Sequence, residues 1–236
     1  MLFIFVSIYN NLSRYWFSEL FLFEIHSLMS WMQHLYYIHD PMCSWCWAFR
    51  PTLYRLLEKL PSDISVSFLL GGLAPDSEQP MDAELRRKIE ETWKRIQTRL
   101  PATEFNYDFW INNTPRRSTY PACRSVIAVR EIEPTKEKEM IYAIQQAYYL
   151  KAMNPSDSNI LEKLAGNLGI SGAMFSKTFY SDATAIQLLE EIKQCRSMGV
   201  HSFPSLVLKT DNGHWPIPID YQDENTILEA IFQISN

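Results

Sequence analysis

The feature that most limits what this chain can fold into is where its strand-like segments lie. They sit near the two ends, and the long tract between them carries only helical signals. "HLYYIH", 34–39, is a short apolar and aromatic run closed by Asp40-Pro41, the pattern of a buried strand. In "SWCWAFRPTLYRLLEKL", 44–60, Phe49, Leu53, Leu56, Leu57 and Leu60 share one side of a helix, and Pro61 stops it. Pro51 falls inside this helix, removes a hydrogen bond and is expected to kink it. "ISVSFLL", 64–70, is a second strand pattern ending at Gly71-Gly72, and the strand–helix–strand unit predicts a parallel pair. Helices are then expected near 81–99, 118–131, 135–152, 156–168, 171–179 and 182–198. Strand patterns return in "SLVLKT", 205–210, and "HWPIPID", 214–220, around the turn signal Asp211-Asn212-Gly213. An amphipathic helix over 224–235 follows. The order β-α-β, helices, β-β-α requires 33–72 and 199–236 to meet in one sheet, with 73–198 inserted as a helical domain.

Composition narrows the function classes. The net charge of −5 lacks the basic surface that phosphate backbones need, so no nucleic-acid partner is expected. Four cysteines, at 43, 46, 123 and 195, are too few for a disulfide-stapled secreted scaffold. The count fits a reducing compartment and one reactive pair. Residues 1–31 are apolar and aromatic, yet no Lys or Arg precedes Leu2–Tyr9 and no small-residue cleavage site follows it. The second apolar stretch carries Glu19 and Glu24, a poor composition for a membrane span. Residues 1–32 are therefore read as an extension, with a start at Met32 as one account and a weak anchor or signal as the other. The expected location is cytoplasmic without a membrane partner, or periplasmic if 1–31 act as an export signal.

The pair in "DPMCSWCWAFRP", 40–51, lies between a strand and a helix. Cys43 falls at the first turn, where free backbone N–H groups and the positive end of the helix stabilise a thiolate. Cys46, one turn on, reaches the same sulfur and can resolve a mixed disulfide. Ser44 and Trp45 carry no charge, which leaves the helix end to stabilise the thiolate. A structural zinc site needs a second ligand pair, and the other cysteines and the histidines offer none, so no metal is expected. Two packed core cysteines would explain neither the strand before the pair nor the helix it opens. In "GVHSFPSLVL", 199–208, Pro204 stands immediately before a strand. A cis Phe203–Pro204 bond would turn the chain back toward the cysteine-bearing helix and leave the Phe203 backbone open to an extended peptide; an ordinary trans proline at a strand start is the alternative.

"CSWC" after a strand, Pro51 five residues beyond Cys46, and "GVHSFPSLVL" together resemble the DsbA-like branch of the thioredoxin superfamily. "LYYIHDPMCSWCWAF" and "PACRSVIAVR", 121–130, resemble most the FrnE-like group of predicted protein-disulfide isomerases within it. The resemblance covers roughly 33–235. It implies an α/β thioredoxin-like fold with a large all-helical insertion. It also implies Cys43 as the attacking cysteine, Cys46 as the resolving one, and Pro204 as a cis-proline facing them. Two departures stand out: Ser-Trp between the cysteines instead of the Pro-His of DsbA, and the lack of a convincing secretion signal.

Around the pair, Trp45, Ser202 and Phe203 are the candidate substrate-binding residues, with Trp45 at the surface and Trp47 packed under the helix. Asp40 and His39 are candidates for a proton relay, against the simpler roles of turn residue and strand end. Cys123 and Cys195 are read as free buried thiols, with a disulfide between them left open. The expected function is dithiol–disulfide exchange as a protein disulfide reductase or isomerase, on protein or peptide thiols and disulfides. No bound cofactor is expected, and glutathione is a candidate electron partner. The alternatives are a glutathione-dependent isomerase or transferase on a small aromatic molecule, like the 2-hydroxychromene-2-carboxylate isomerases, and a partner-binding or chaperone-like module.

Overall fold

Four strands form one mixed sheet, and the two ends of the described chain, residues 33–235, supply all of them. Residues 1–32, read above as an extension, lie outside the described residues of this computed structural model. β1 (Gln33–His39) is central. It pairs in parallel with β2 (Ile64–Leu70), from Gln33 opposite Ile64 to His39 opposite Leu70. On its other side it pairs antiparallel with β3 (Ser205–Thr210), placing Tyr37 opposite Leu206. β3 turns into β4 (Gly213–Ile217), giving the order β2-β1-β3-β4. β4 stops short of the expected 220. It carries Pro216, tolerated because β4 is an edge strand and a missing N–H there breaks no second ladder.

α1 (Ser44–Lys59) connects β1 to β2 and continues through Pro51. It buries Phe49, Leu53 and Leu56 against one face of the sheet, which supplies Leu35, Tyr37, Phe68, Leu206 and Leu208. The two-residue period of strands sends Ile38, Leu69 and Val207 to the opposite face, where Cys195 and Val200 join them in a separate small cluster. Between β2 and β3 run α2 (Ala83–Arg99), α3 (Phe109–Asn112), α4 (Tyr120–Ile132), α5 (Glu137–Tyr149), α6 (Ser158–Asn167), α7 (Gly172–Phe179) and α8 (Asp182–Ser197). Asp82 caps α2 by accepting from the Leu85 amide at 2.8 Å, and Ser181 caps α8 from Thr184 at 3.2 Å. The single-turn α3 escapes sequence reading because four residues show no periodicity. A continuous apolar cluster runs from the sheet and α1 into this block through Trp93, Phe109, Val126 and Tyr149. α9 (Glu224–Ser235) closes over α1: Glu224 takes Arg55 at 2.8 Å and Lys59 at 2.7 Å. No helix among the described residues is long and apolar enough to cross a membrane.

Candidate active site

β1 ends against the mouth of α1, and a tight turn joins them, with the Cys43 amide donating to the Asp40 carbonyl at 3.0 Å. Cys43 is the N-cap residue, with extended φ −82° and ψ 117°, and its side chain does not cap the helix. The sulfur points instead across the molecule and donates to the Phe203 carbonyl at 3.5 Å. Phe203–Pro204 is a cis peptide. Cys43 retains 6 % exposure, whereas Cys46 has none. Burial pushes the Cys46 thiol well above its usual range, and its hydrogen bond to Cys43 and the charge of that sulfur add to the effect. All four cysteines are free thiols, so the disulfide left open between Cys123 and Cys195 is not formed.

The sequence reading missed Tyr37. Its phenol lies beside the Cys46 sulfur inside the core, and burial followed by the charge of the two nearby sulfurs holds it in its protonated form. Its aromatic run read only as strand, and nothing in that pattern distinguishes a phenol aimed at a thiol from one aimed at a leucine.

Asp40 is fully buried without a cation beside it. One carboxylate oxygen accepts from the Met42 amide at 2.8 Å. The other accepts from the Leu73 amide at 2.7 Å, the Thr119 hydroxyl at 2.6 Å and the Cys123 thiol at 3.5 Å. Burial raises its pKa and the four donors oppose that rise. Asp40 also adds charge next to Cys46. The two stretches that carried the family resemblance, around 35–49 and 121–130, thus meet at this carboxylate through Cys123. His39 offers no relay path. It is fully buried, stacked on Tyr37 at 5.0 Å, and neither ring nitrogen has a hydrogen-bond partner. Burial first, and the positive charge of Arg130 second, lower its pKa to about 3, so the ring is neutral.

The dipeptide between the cysteines is held from the helical block. The Trp93 indole N–H of α2 donates to Ser44 Oγ at 3.0 Å. Trp45 is half-buried, edge-on to Tyr221 at 5.2 Å, with the Arg99 guanidinium 5.9 Å from its ring centre. Trp47 is also half-buried rather than tucked under the helix. Its N–H is tied to the Glu104 carbonyl at 3.1 Å, and its ring stacks on Tyr149 at 5.6 Å, because the inserted helices form a wall beside α1 that the sequence does not reveal. Ser202 is exposed and its carbonyl accepts from Ser205 at 2.8 Å. The Phe203 ring lies on Gly71: a β-carbon built there would sit 2.0 Å from a ring carbon, so Gly71 is the space that ring occupies. Among the described residues no group of three or more His, Cys, Asp or Glu is arranged to hold a metal.

A family model described as thioredoxin matches residues 36–215. The chain belongs to the thioredoxin family. With its helices between β2 and β3, the chain shares the fold of a probable DsbA oxidoreductase from Streptomyces coelicolor, at a TM-score of 0.62 and 16 % identity over 85 % of this chain and 89 % of the other. Among solved structures it is similar to a candidate protein disulfide isomerase from Nitrosomonas europaea. The two share 29 % identity and a TM-score of 0.75, over 85 % of this chain and 96 % of the other. It shares the fold of the cytosolic disulfide reductase DsbM from Pseudomonas aeruginosa, also solved with GSH. There the TM-score is 0.69 and the identity 20 %, covering 85 % of this chain and 98 % of that one. A curated relative, the ClpXP adapter protein SpxH of Halalkalibacterium halodurans, is 23 % identical over 80 % of this chain. The chain spans 65 % of that relative's length.

Proposed function

We propose that this protein is a thiol–disulfide oxidoreductase that reduces or isomerises disulfides in protein or peptide substrates, with Cys43 as nucleophile and Cys46 as resolving cysteine. The observation that carries the reading is the contact between Cys43 Sγ and the Phe203 carbonyl, 160 positions away in the chain, at the N-terminus of α1. The helix end favours negative charge on the sulfur there, and the Phe203–Pro204 loop faces it with backbone for an extended substrate. The Cys43 thiolate attacks one sulfur of the substrate disulfide. That S–S bond breaks, its electron pair leaves with the other substrate sulfur, and a mixed disulfide forms on Cys43. Cys46 then gives up its proton and attacks Cys43 Sγ. The mixed bond breaks, the substrate departs as a dithiol, and the two electrons have come from the pair. Asp40, close enough that its charge helps keep the Cys46 thiol protonated at rest, is the group we assign to take up that proton as Cys46 attacks; Tyr37 lies against the Cys46 sulfur.

Two molecules of glutathione would return the pair to the dithiol, yielding one glutathione disulfide. The DsbM structure with GSH supports this donor, and that neighbour, a cytosolic disulfide reductase, supports a reducing direction in the cytoplasm. The FrnE-like placement stays with this proposal, carried by the two motifs that meet at Asp40. Insulin reduction with glutathione tests the reading. Cys43→Ser should fall to background, and Cys46→Ser should accumulate a mixed disulfide visible by mass. Equal turnover by wild type and Cys43→Ser would overturn it.

The SpxH relatives favour a second reading, a partner-binding adapter. It requires a protein partner captured equally well by wild type and by the double Cys43→Ser, Cys46→Ser variant, whereas exchange requires both sulfurs.

A further inference from the structure

One turn beyond Cys43 along α1, a cavity of about 480 Å³ opens between Trp47, Ala48, the 100–104 turn after α2, Leu150 and Tyr221. Neither Cys43 nor Cys46 lines it. Its size falls in the range of small-molecule sites, about 300–1,000 Å³. Its walls are more apolar than polar, and the one polar atom of the Trp47 ring is already taken by the Glu104 carbonyl, so the indole offers only carbon.

Two arginines line this cavity. Arg55 is committed: Nε to Glu224 at 2.8 Å, and Nη2 to the Thr52 hydroxyl at 3.1 Å and the Gln222 carbonyl at 3.0 Å. Arg50 is not. Its guanidinium lies over the Tyr142 ring at 3.5 Å and the Tyr54 ring at 4.5 Å, and among the described residues it has no hydrogen-bond or carboxylate partner. Ring contacts hold the plane by its faces and leave the in-plane N–H donors available. Those donors match the two oxygens of a carboxylate. A neutral apolar molecule would leave the guanidinium unpaired. A polyanion would meet the exposed Glu104 and a chain of net charge −5.

We propose that this cavity binds a small molecule with an aromatic or apolar body and a single carboxylate, held bidentately by Arg50 with the body against Trp47. The site is separate from the exchange chemistry and does not depend on it. Dansylglycine is the probe, its emission read on titration into the full-length protein, with dansylglycinamide as the uncharged twin. Wild type and Cys43→Ser should bind dansylglycine alike, with blue-shifted emission. The amide should bind at least tenfold more weakly, and Arg50→Gln should weaken dansylglycine at least tenfold without affecting insulin reduction. Ala102→Trp, which fills the cavity from its exposed rim and leaves Arg50 intact, should abolish binding. No binding to wild type, equal binding of acid and amide, or unchanged affinity in either cavity variant would overturn the assignment.

Discussion

Two buried carboxylates grip the same short segment, and they do so in opposite electrostatic states. Glu191 of α8 accepts the Leu70 amide at 2.8 Å; Asp40 accepts the Leu73 amide at 2.7 Å, and Gly71-Gly72 pass between them. Glu191 is paired with Arg130, which also holds Glu137 at 3.0 Å. Asp40 has only neutral donors. A backbone amide can therefore be satisfied by a charge that is neutralised or by one that is merely solvated by hydrogen bonds. The first is a structural clamp. The second keeps a carboxylate whose proton balance is open to the sulfur beside it, and it is the one at the thiol site.

Arg130→Met breaks the clamp. Two carboxylates lose their cation inside the fold, and unfolding in urea should show a loss of about 3–5 kcal/mol, with the folded fraction still reducing insulin. An unchanged midpoint would mean Glu191 needs no counter-charge and the contrast is void. Gly71→Ala strikes between the two grips. The new β-carbon collides with the Phe203 ring, and overpacking should cost about 1–3 kcal/mol while slowing exchange by displacing the loop that faces Cys43.

His39 reports on both sides, since it adjoins Asp40 in the chain and feels the charge of Arg130. Its pKa of about 3 lies below the 6.5 of the unfolded ring. Between these values the unfolded chain takes the proton and the folded one does not. This contribution to stability is complete above pH 6.5 and is lost as the pH falls toward 3, at about 1.4 kcal/mol per unit. His39→Phe should flatten that slope in urea titrations at pH 4.5 to 6.5; an unaltered slope would show that the ring is protonated when folded. Asp40→Asn should change stability least, within about 1 kcal/mol, because lost hydrogen bonds are offset by removing a charge that burial disfavours. Its signature is kinetic: resolution of the mixed disulfide should slow about tenfold and lose part of its pH dependence. A large stability loss with unchanged resolution would make Asp40 a second clamp.

Most of the architecture was readable because its longer elements announce themselves locally. The apolar, aromatic run of "HLYYIH" and the leucine spacing of 44–60 need no distant information, and the turn at Asp211-Asn212-Gly213 marks its own hairpin. The thiol pair was readable for the same reason, being two residues one turn apart. What surrounds the pair was not. Trp93 reaches Ser44 across 49 positions and Thr119 reaches Asp40 across 79, and no periodicity encodes such pairings. Tyr37 and Trp47 sat in plain patterns of strand and helix, and only packing reveals that one meets a sulfur and the other walls a cavity. For His39 the sequence left two roles open, relay and strand end, and only packing shows a ring that is sealed and unpartnered.

The long stretch of chain between Cys43 and Phe203 governs how the protein is made. Ribosomes deliver the thiol 160 residues before the carbonyl that shelters it, and the middle strand β1 waits as long for β3. Throughout that interval the nascent chain carries a bare nucleophile next to an unfinished sheet edge. Translation speed and the cell's handling of half-made chains therefore bear on how much of this protein reaches its dithiol form.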